Sequence, residues 1–172
     1  MVIDSKMRLF GDSKTSKDVS NETDRALLMH LRSLADLIIT DAATAAAEKY
    51  RASKFCDIEI WSKSGDFRGL EETSGRDSRH AISLQTITDA ASRVKSLRLS
   101  RNSILLETGQ SLTTKLAESQ LIDFASISVT GADSAESAAA ALDQFAKRMG
   151  LNYLSHVDQD WFNETLFARF QR

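Results

Sequence analysis

The sequence predicts an α/β domain: a mainly parallel sheet covered by helices and closed by an antiparallel pair of C-terminal strands. Three observations predict it. Short apolar or β-branched runs alternate with amphipathic stretches along most of the chain, the order that parallel strands joined by helical crossovers require. The last two apolar runs, Leu151–Val157 and Thr165–Phe170, follow one another with only a turn near Asp158–Asn163 between them. And 172 residues, 42% apolar and 27% charged, suffice for one core without the composition of a disordered chain.

Taken in order, Met1–Phe10 reads as short and extended, and Gly11–Asn21 as a polar loop. Ser20 or Asn21 can cap a helix whose stripe is Leu27, Leu28, Leu31, Leu34, Ala35 and Ile38, ending near Asp36. Leu37–Thr40 is a buried strand, and Ala42–Tyr50 an Ala-rich helix beginning beside Thr44. Cys56–Ser62 is a strand, Lys63–Gly75 a loop with three glycines, and Ala81–Leu84 a short strand. Ile87, Ala90, Ala91, Val94 and Leu97 recur at helical spacing. Ser103–Glu107 is a strand, Ser111–Glu118 a helix and Ser126–Thr130 a strand. Ser134–Met149 is a long helix stopped at Gly150. No repeat or low-complexity linker divides the chain, which is read as a single domain over residues 1–172.

Composition removes several functions. A net charge of −2 supplies no general attraction to nucleic acid, and the cations Arg93, Lys95, Arg98 and Arg101 read as a solvated face. No apolar run approaches the roughly 20 residues needed to span a bilayer, and Met1–Phe10 lacks the form of a signal peptide. The lone Cys56 cannot form an internal disulfide and reads as a small buried residue, which fits a reducing, cytoplasmic setting. His30, His80 and His156 have no metal-ligand spacing, and neither a nucleophile elbow nor a P-loop occurs.

In parallel sheets, ligands sit outside the carboxyl ends of the strands, where loops turn into helices. Two such turns stand out, Thr40–Thr44 and Glu107–Ser111. Each offers hydroxyls and free N–H groups suited to phosphate. Thr44 and Ser111 are equally read as ordinary helix caps, and the local pattern leaves both readings open.

The order of pieces resembles the reductase domain of the bifunctional deaminase–reductases of riboflavin synthesis. Asp24-Arg25-Ala26-Leu27-Leu28, Leu31-Arg32, Ala35-Asp36, Ala43-Thr44 and Glu48-Lys49-Tyr50-Arg51 are similar to that family's first helix, strand and following turn. Ile58–Ser62 with Lys63-Ser64-Gly65 resembles the next strand and its turn. Ile104–Leu112 resembles the segment "VLVEGGPTL", Leu121–Phe124 the segment "LVDE", and Leu166–Phe170 the closing strand. The resemblance covers nearly the whole chain in the right order. It implies a dihydrofolate-reductase-like fold with helices on both faces of the sheet, a homodimer, and hydride transfer from NADPH to a small-molecule substrate, a ribosylaminopyrimidine or similar heterocycle.

Carried over residue by residue, the resemblance implies cofactor contacts for Thr44, Glu48, Ser62, Gly109, Gln110 and Ser111. Thr44 then bonds a phosphate or ribose, and Gly109 lets the backbone approach the pyrophosphate. Glu107 meets the substrate, and Arg51 contacts a substrate phosphate.

The chain also departs from the family. Asp41-Ala42-Ala43-Thr44 stands for "G-x-G-T", Thr108-Gly109-Gln110 for "GGP", and Asp4-Ser5-Lys6-Met7 for "S-x-DG". An Ala-rich helix replaces a Gly- and Pro-containing loop at Gly131–Met149, and the chain has no proline at all. Asp41 places an anion beside the expected phosphate, and Thr108 adds a branch where the family has glycine. Two functions follow: an NADPH-dependent reductase, or a non-catalytic homodimeric relative acting as a binding or interaction module.

Overall fold

The computed structural model describes residues 1–13, 15–70 and 79–172. Part of the expected glycine loop, residues 71–75, lies outside them. Among these residues, eight strands and five α-helices follow one another as β1 (Val2–Asp4), α1 (Glu22–Ser33), β2 (Leu37–Asp41), α2 (Ala42–Ala47), β3 (Asp57–Ser62), β4 (Ile82–Thr86), α3 (Ala90–Leu97), β5 (Ile104–Leu106), α4 (Gln110–Glu118), β6 (Phe124–Thr130), α5 (Ala135–Arg148), β7 (Ser155–Phe162) and β8 (Thr165–Gln171). They form two compact units, Leu28–Leu116 and the remainder, Met1–Leu27 with Ala117–Arg172. The strands accordingly lie in two four-stranded sheets.

The sheet of the Leu28–Leu116 unit is wholly parallel, in the order β4-β3-β2-β5. Strand β2 is central and buried from Leu37 to Thr40, as a strand covered on both faces must be. On one face Ile38, Ile58 and Ile60 pack with Ala45 of α2, Leu70 and Cys56, joined by Tyr50 and Leu105. Glu59 and Trp61 alternate onto the other face. There Arg93 of α3 bonds Glu59 at 2.6 Å, and the Trp61 indole N–H donates to the same carboxylate at 2.9 Å.

The other unit carries a mixed sheet, β1-β6-β8-β7, with β1 parallel to β6 and the last three strands antiparallel. Helix α5 lies on β6 and β8 through Ala138, Ala141, Leu142, Phe145 and Ala146, the three-and-four spacing of a buried helical stripe. Ser134 caps it by accepting from the Ser137 N–H.

Several boundaries differ from the sequence reading, each for a local reason. Helix α1 stops at Ser33, three residues before Asp36, so Leu34 is left exposed while Ile38 belongs to the strand. Its cap is Asn21, whose side-chain oxygen accepts from the Asp24 N–H at 2.9 Å. Helix α3 starts at Ala90 rather than Ile87 because the Asp89 carboxylate caps it. Neither Thr44 nor Ser111 is a cap: Asp41 caps α2, and Ser111 sits exposed in the first turn of α4.

The largest difference is the closing hairpin. Asp158–Phe162 is strand, and the turn is only Asn163-Glu164, both with positive φ (49° and 56°), as a two-residue hairpin turn requires. Strand β7 is an edge strand exposed on nearly all its residues, so it carries no apolar alternation to mark it.

Helices α2 and α5 end in the same way. After α5, Gly150 takes φ 72°, its N–H bonds the Lys147 carbonyl at 3.1 Å and the Leu151 N–H bonds the Ala146 carbonyl at 3.0 Å. After α2, Lys49 takes φ 52°, with the Lys49 N–H on Ala46 at 3.3 Å and the Tyr50 N–H on Ala45 at 3.0 Å. Both are Schellman closures, one built on the preferred glycine and one on a strained lysine. Gly150→Ala is therefore expected to lower stability by about 1–2 kcal/mol, and Lys49→Gly to raise it by up to about 1 kcal/mol. Urea midpoints that move in opposite directions confirm the pair of closures; shifts of the same sign contradict it.

Candidate functional site

The carboxyl ends of β2, β3 and β5 lie along one edge of the parallel sheet, and two clusters form there, both within the Leu28–Leu116 unit. The first is built on a carboxylate at the end of β5. Glu107 is held at the sheet edge by its own N–H, which donates to the Ile39 carbonyl at 2.9 Å. Arg32, near the end of α1, grips the Glu107 carboxylate as a fork, Nε to Oε1 at 2.7 Å and Nη2 to Oε2 at 2.5 Å. The Tyr50 hydroxyl donates to the same Oε2. The Schellman closure of α2 is what delivers Tyr50 to this place, and Arg32 also lies 5.4 Å from the centre of its ring.

The electrostatics follow from the geometry. The Glu107 side chain is only 8% exposed, so its charge needs the guanidinium. The hydrogen bond to Glu107 holds the Arg32 proton more firmly than usual, against the opposing effect of burial. Burial pushes the Tyr50 phenol well above its ordinary range, and the neighbouring Glu107 charge pushes it further. The phenol is thus kept as a hydrogen-bond donor. Among the described residues, Oε1 of Glu107 receives one hydrogen bond, from Arg32 Nε, and a carboxylate oxygen has room for a second.

The second cluster joins the two turns that the sequence marks. Asp41 ends β2 with extended backbone (φ −93°, ψ 157°) and caps α2. Its Oδ1 accepts the Thr44 N–H at 2.9 Å, and its Oδ2 accepts the Thr44 hydroxyl at 2.9 Å and the Gly109 N–H at 2.6 Å. A Cβ at Gly109 would come within 3.1 Å of Thr44 Oγ1 and 3.3 Å of Asp41 Oδ2. The glycine is needed for close approach here, and its neighbour is the Asp41 carboxylate.

Thr108 does not obstruct the turn. It is buried, and its hydroxyl meets that of Thr113 in α4 at 2.8 Å, so the branch points inward.

Thr44 and Gly109 are therefore brought together, and Glu107 lies at the same sheet edge. Ser62 ends β3, buried, with its hydroxyl 3.4 Å from that of Ser64. Glu48 closes α2 as its C-cap. Gln110 and Ser111 are exposed in the first turn of α4, and Arg51 is exposed beyond Tyr50. Among the described residues, no hydrogen bond ties Ser62, Arg51, Gln110 or Ser111 to either cluster. Sequence reasoning quoted Arg32 and Tyr50 but assigned them no role; their signal was a cation and a phenol in segments flanking the same strand edge as Glu107.

The donors expected to hold a dinucleotide phosphate, Thr44 and Gly109, do not fit that group as they stand, because Asp41 uses them. Among the described residues no group of three or more His, Cys, Asp or Glu gathers as a metal site, and no helix is long and apolar enough to cross a membrane.

No family model matches the sequence, and no curated protein sequence matches it. Solved structures do. A pyrimidine reductase-like protein of Corynebacterium diphtheriae superposes with a TM-score of 0.67 at 15% identity, covering 99% of this chain and 88% of that one. A diaminohydroxyphosphoribosylaminopyrimidine deaminase/5-amino-6-(5-phosphoribosylamino)uracil reductase of Thermotoga maritima gives 0.67 at 10% identity, covering 99% of this chain but 54% of that one. This chain thus spans about half of that protein's length. The riboflavin biosynthesis reductase of Saccharomyces cerevisiae gives 0.51 at 11% identity, over 88% of this chain and 81% of that one. The chain has the α/β fold of these pyrimidine reductases.

Tyr50 gives the site a pH signature. Its folded pKa lies above that of an unfolded tyrosine, about 10, so the folded state holds a proton that the unfolded chain loses. Its contribution is intact below about pH 10 and is lost as pH rises above it. Wild type is expected to lose up to about 1.4 kcal/mol per pH unit more than Tyr50→Phe in that range, read from denaturant unfolding at stepped alkaline pH. Parallel slopes for the two proteins contradict the assignment.

Proposed function

We propose that this chain, read as one domain over residues 1–172, is a reductase of the pyrimidine-reductase type. It transfers hydride from NADPH to a ribosylaminopyrimidine-type substrate as a cytoplasmic homodimer. The observation that supports this reading is the likeness in fold to pyrimidine reductases, which extends over 99% of the chain.

In this reading NADPH supplies the hydride, and the protein's residues bind and orient the reactants. Glu107, held in place by its Arg32 fork, offers Oε1 to a ring N–H of the heterocycle. Arg51, exposed next to Tyr50, supplies a fork for a substrate phosphate. Thr44, Glu48, Ser62, Gly109, Gln110 and Ser111 remain the residues proposed around the cofactor. Of these, Thr44 and Gly109 are held by Asp41.

That same carboxylate is the motive for the alternative, a non-catalytic homodimeric relative whose former cofactor cleft serves binding or interaction.

Turnover decides between them. The reductase reading expects loss of reduced-nicotinamide absorbance when NADPH and a phosphoribosylaminopyrimidine are supplied together. It also expects Glu107→Gln to lower kcat/KM by about a hundredfold at temperatures where the variant, destabilised because Arg32 loses its buried partner, is still fully folded. No oxidation of NADPH at millimolar concentration, with the folded homodimer present, favours the binding module instead.

A further inference from the structure

Three donors from two separate loops converge on one side chain. The Thr44 N–H and hydroxyl come from the turn after β2, and the Gly109 N–H from the turn after β5. All three meet the Asp41 carboxylate at 2.6–2.9 Å, so both of its oxygens are engaged. Gly109 is packed against this carboxylate so closely that even a methyl group there would crowd it and Thr44. This is the donor set of an oxyanion site, and the oxyanion is part of the chain.

A phosphate oxygen needs the same N–H and O–H groups. It cannot share them, since each donor is already committed and two anions at hydrogen-bonding distance from one N–H repel. A neutral side chain at position 41 would leave the electrostatics open, and a glycine would leave the space open as well. Aspartate does neither.

We propose that Asp41 is a built-in anion that closes this turn pair to the phosphates of a dinucleotide, so that removing its charge opens the pair to NADPH. The inference rests on the reading of NADPH as the chain's cofactor. It adds that wild type takes up the cofactor weakly, and that the cause is one carboxylate rather than the loss of the family's glycines at positions 41, 43 and 108 together. Thr108 supports that division of causes, because its side chain is turned inward onto Thr113 and stands clear of the donors.

Calorimetric titration of wild type, Asp41→Asn and Asp41→Gly with NADPH, and separately with reduced nicotinamide riboside, tests it. The riboside carries the nicotinamide but no phosphate, so it does not depend on the turn pair. Asp41→Asn keeps an acceptor for the Thr44 N–H and hence the helix cap, so it decides the matter if Asp41→Gly fails to fold. The expected result is NADPH binding at least about tenfold tighter in the variants than in wild type, with riboside binding unchanged across all three. Equal NADPH affinity in wild type and Asp41→Asn, at a measurable level, overturns the closure by Asp41 and leaves the reductase reading standing. Binding of neither probe by any of the three overturns both.

Discussion

An ionised carboxylate at the edge of a parallel sheet has to be answered by donors, and the arrangement of this site follows from how two such carboxylates are answered. At the end of β2 the free N–H groups of a helix start and a neighbouring loop would be unsatisfied without an acceptor, and Asp41 supplies it from within the chain. The bond to Gly109 ties the β2–α2 turn to the β5–α4 turn, two segments 68 residues apart in sequence. Their spacing is set by a bond of 2.6 Å, and Gly109 is the residue that lets it form.

Glu107 shows the complementary solution. Its charge is buried, and a buried charge without a partner costs several kcal/mol, so Arg32 and Tyr50 are part of the fold as much as of any chemistry. Tyr50 reaches Glu107 only because the chain leaves α2 through a left-handed residue, Lys49, at a place where glycine would be the easier choice. The strain at Lys49 and the position of the phenol are thus two ends of one constraint.

Much of this was legible in the amino-acid order. The alternation of strand and helix, the stripe of α5 and its stop at Gly150 are periodic or glycine-marked, and they appear where the pattern puts them. What was hidden had no local mark. The closure after α2 uses lysine instead of glycine, and the edge strand β7 is exposed along nearly its whole length and so resembles a polar turn. Sequence placed Asp41 and Thr108 correctly beside the donors but not the direction of either side chain. Asp41 turns onto Thr44 and Gly109, and Thr108 turns into α4. Direction depends on packing between distant segments, which no window of sequence contains.

The Asp41 carboxylate, and not solvent, is the partner of the Gly109 N–H. Hydrogen exchange at that single amide reads it directly. The expected outcome is slow exchange of the Gly109 amide in wild type, accelerated in Asp41→Gly while the β2 and β3 amides keep their protection. Equally fast exchange of Gly109 in both proteins would contradict it.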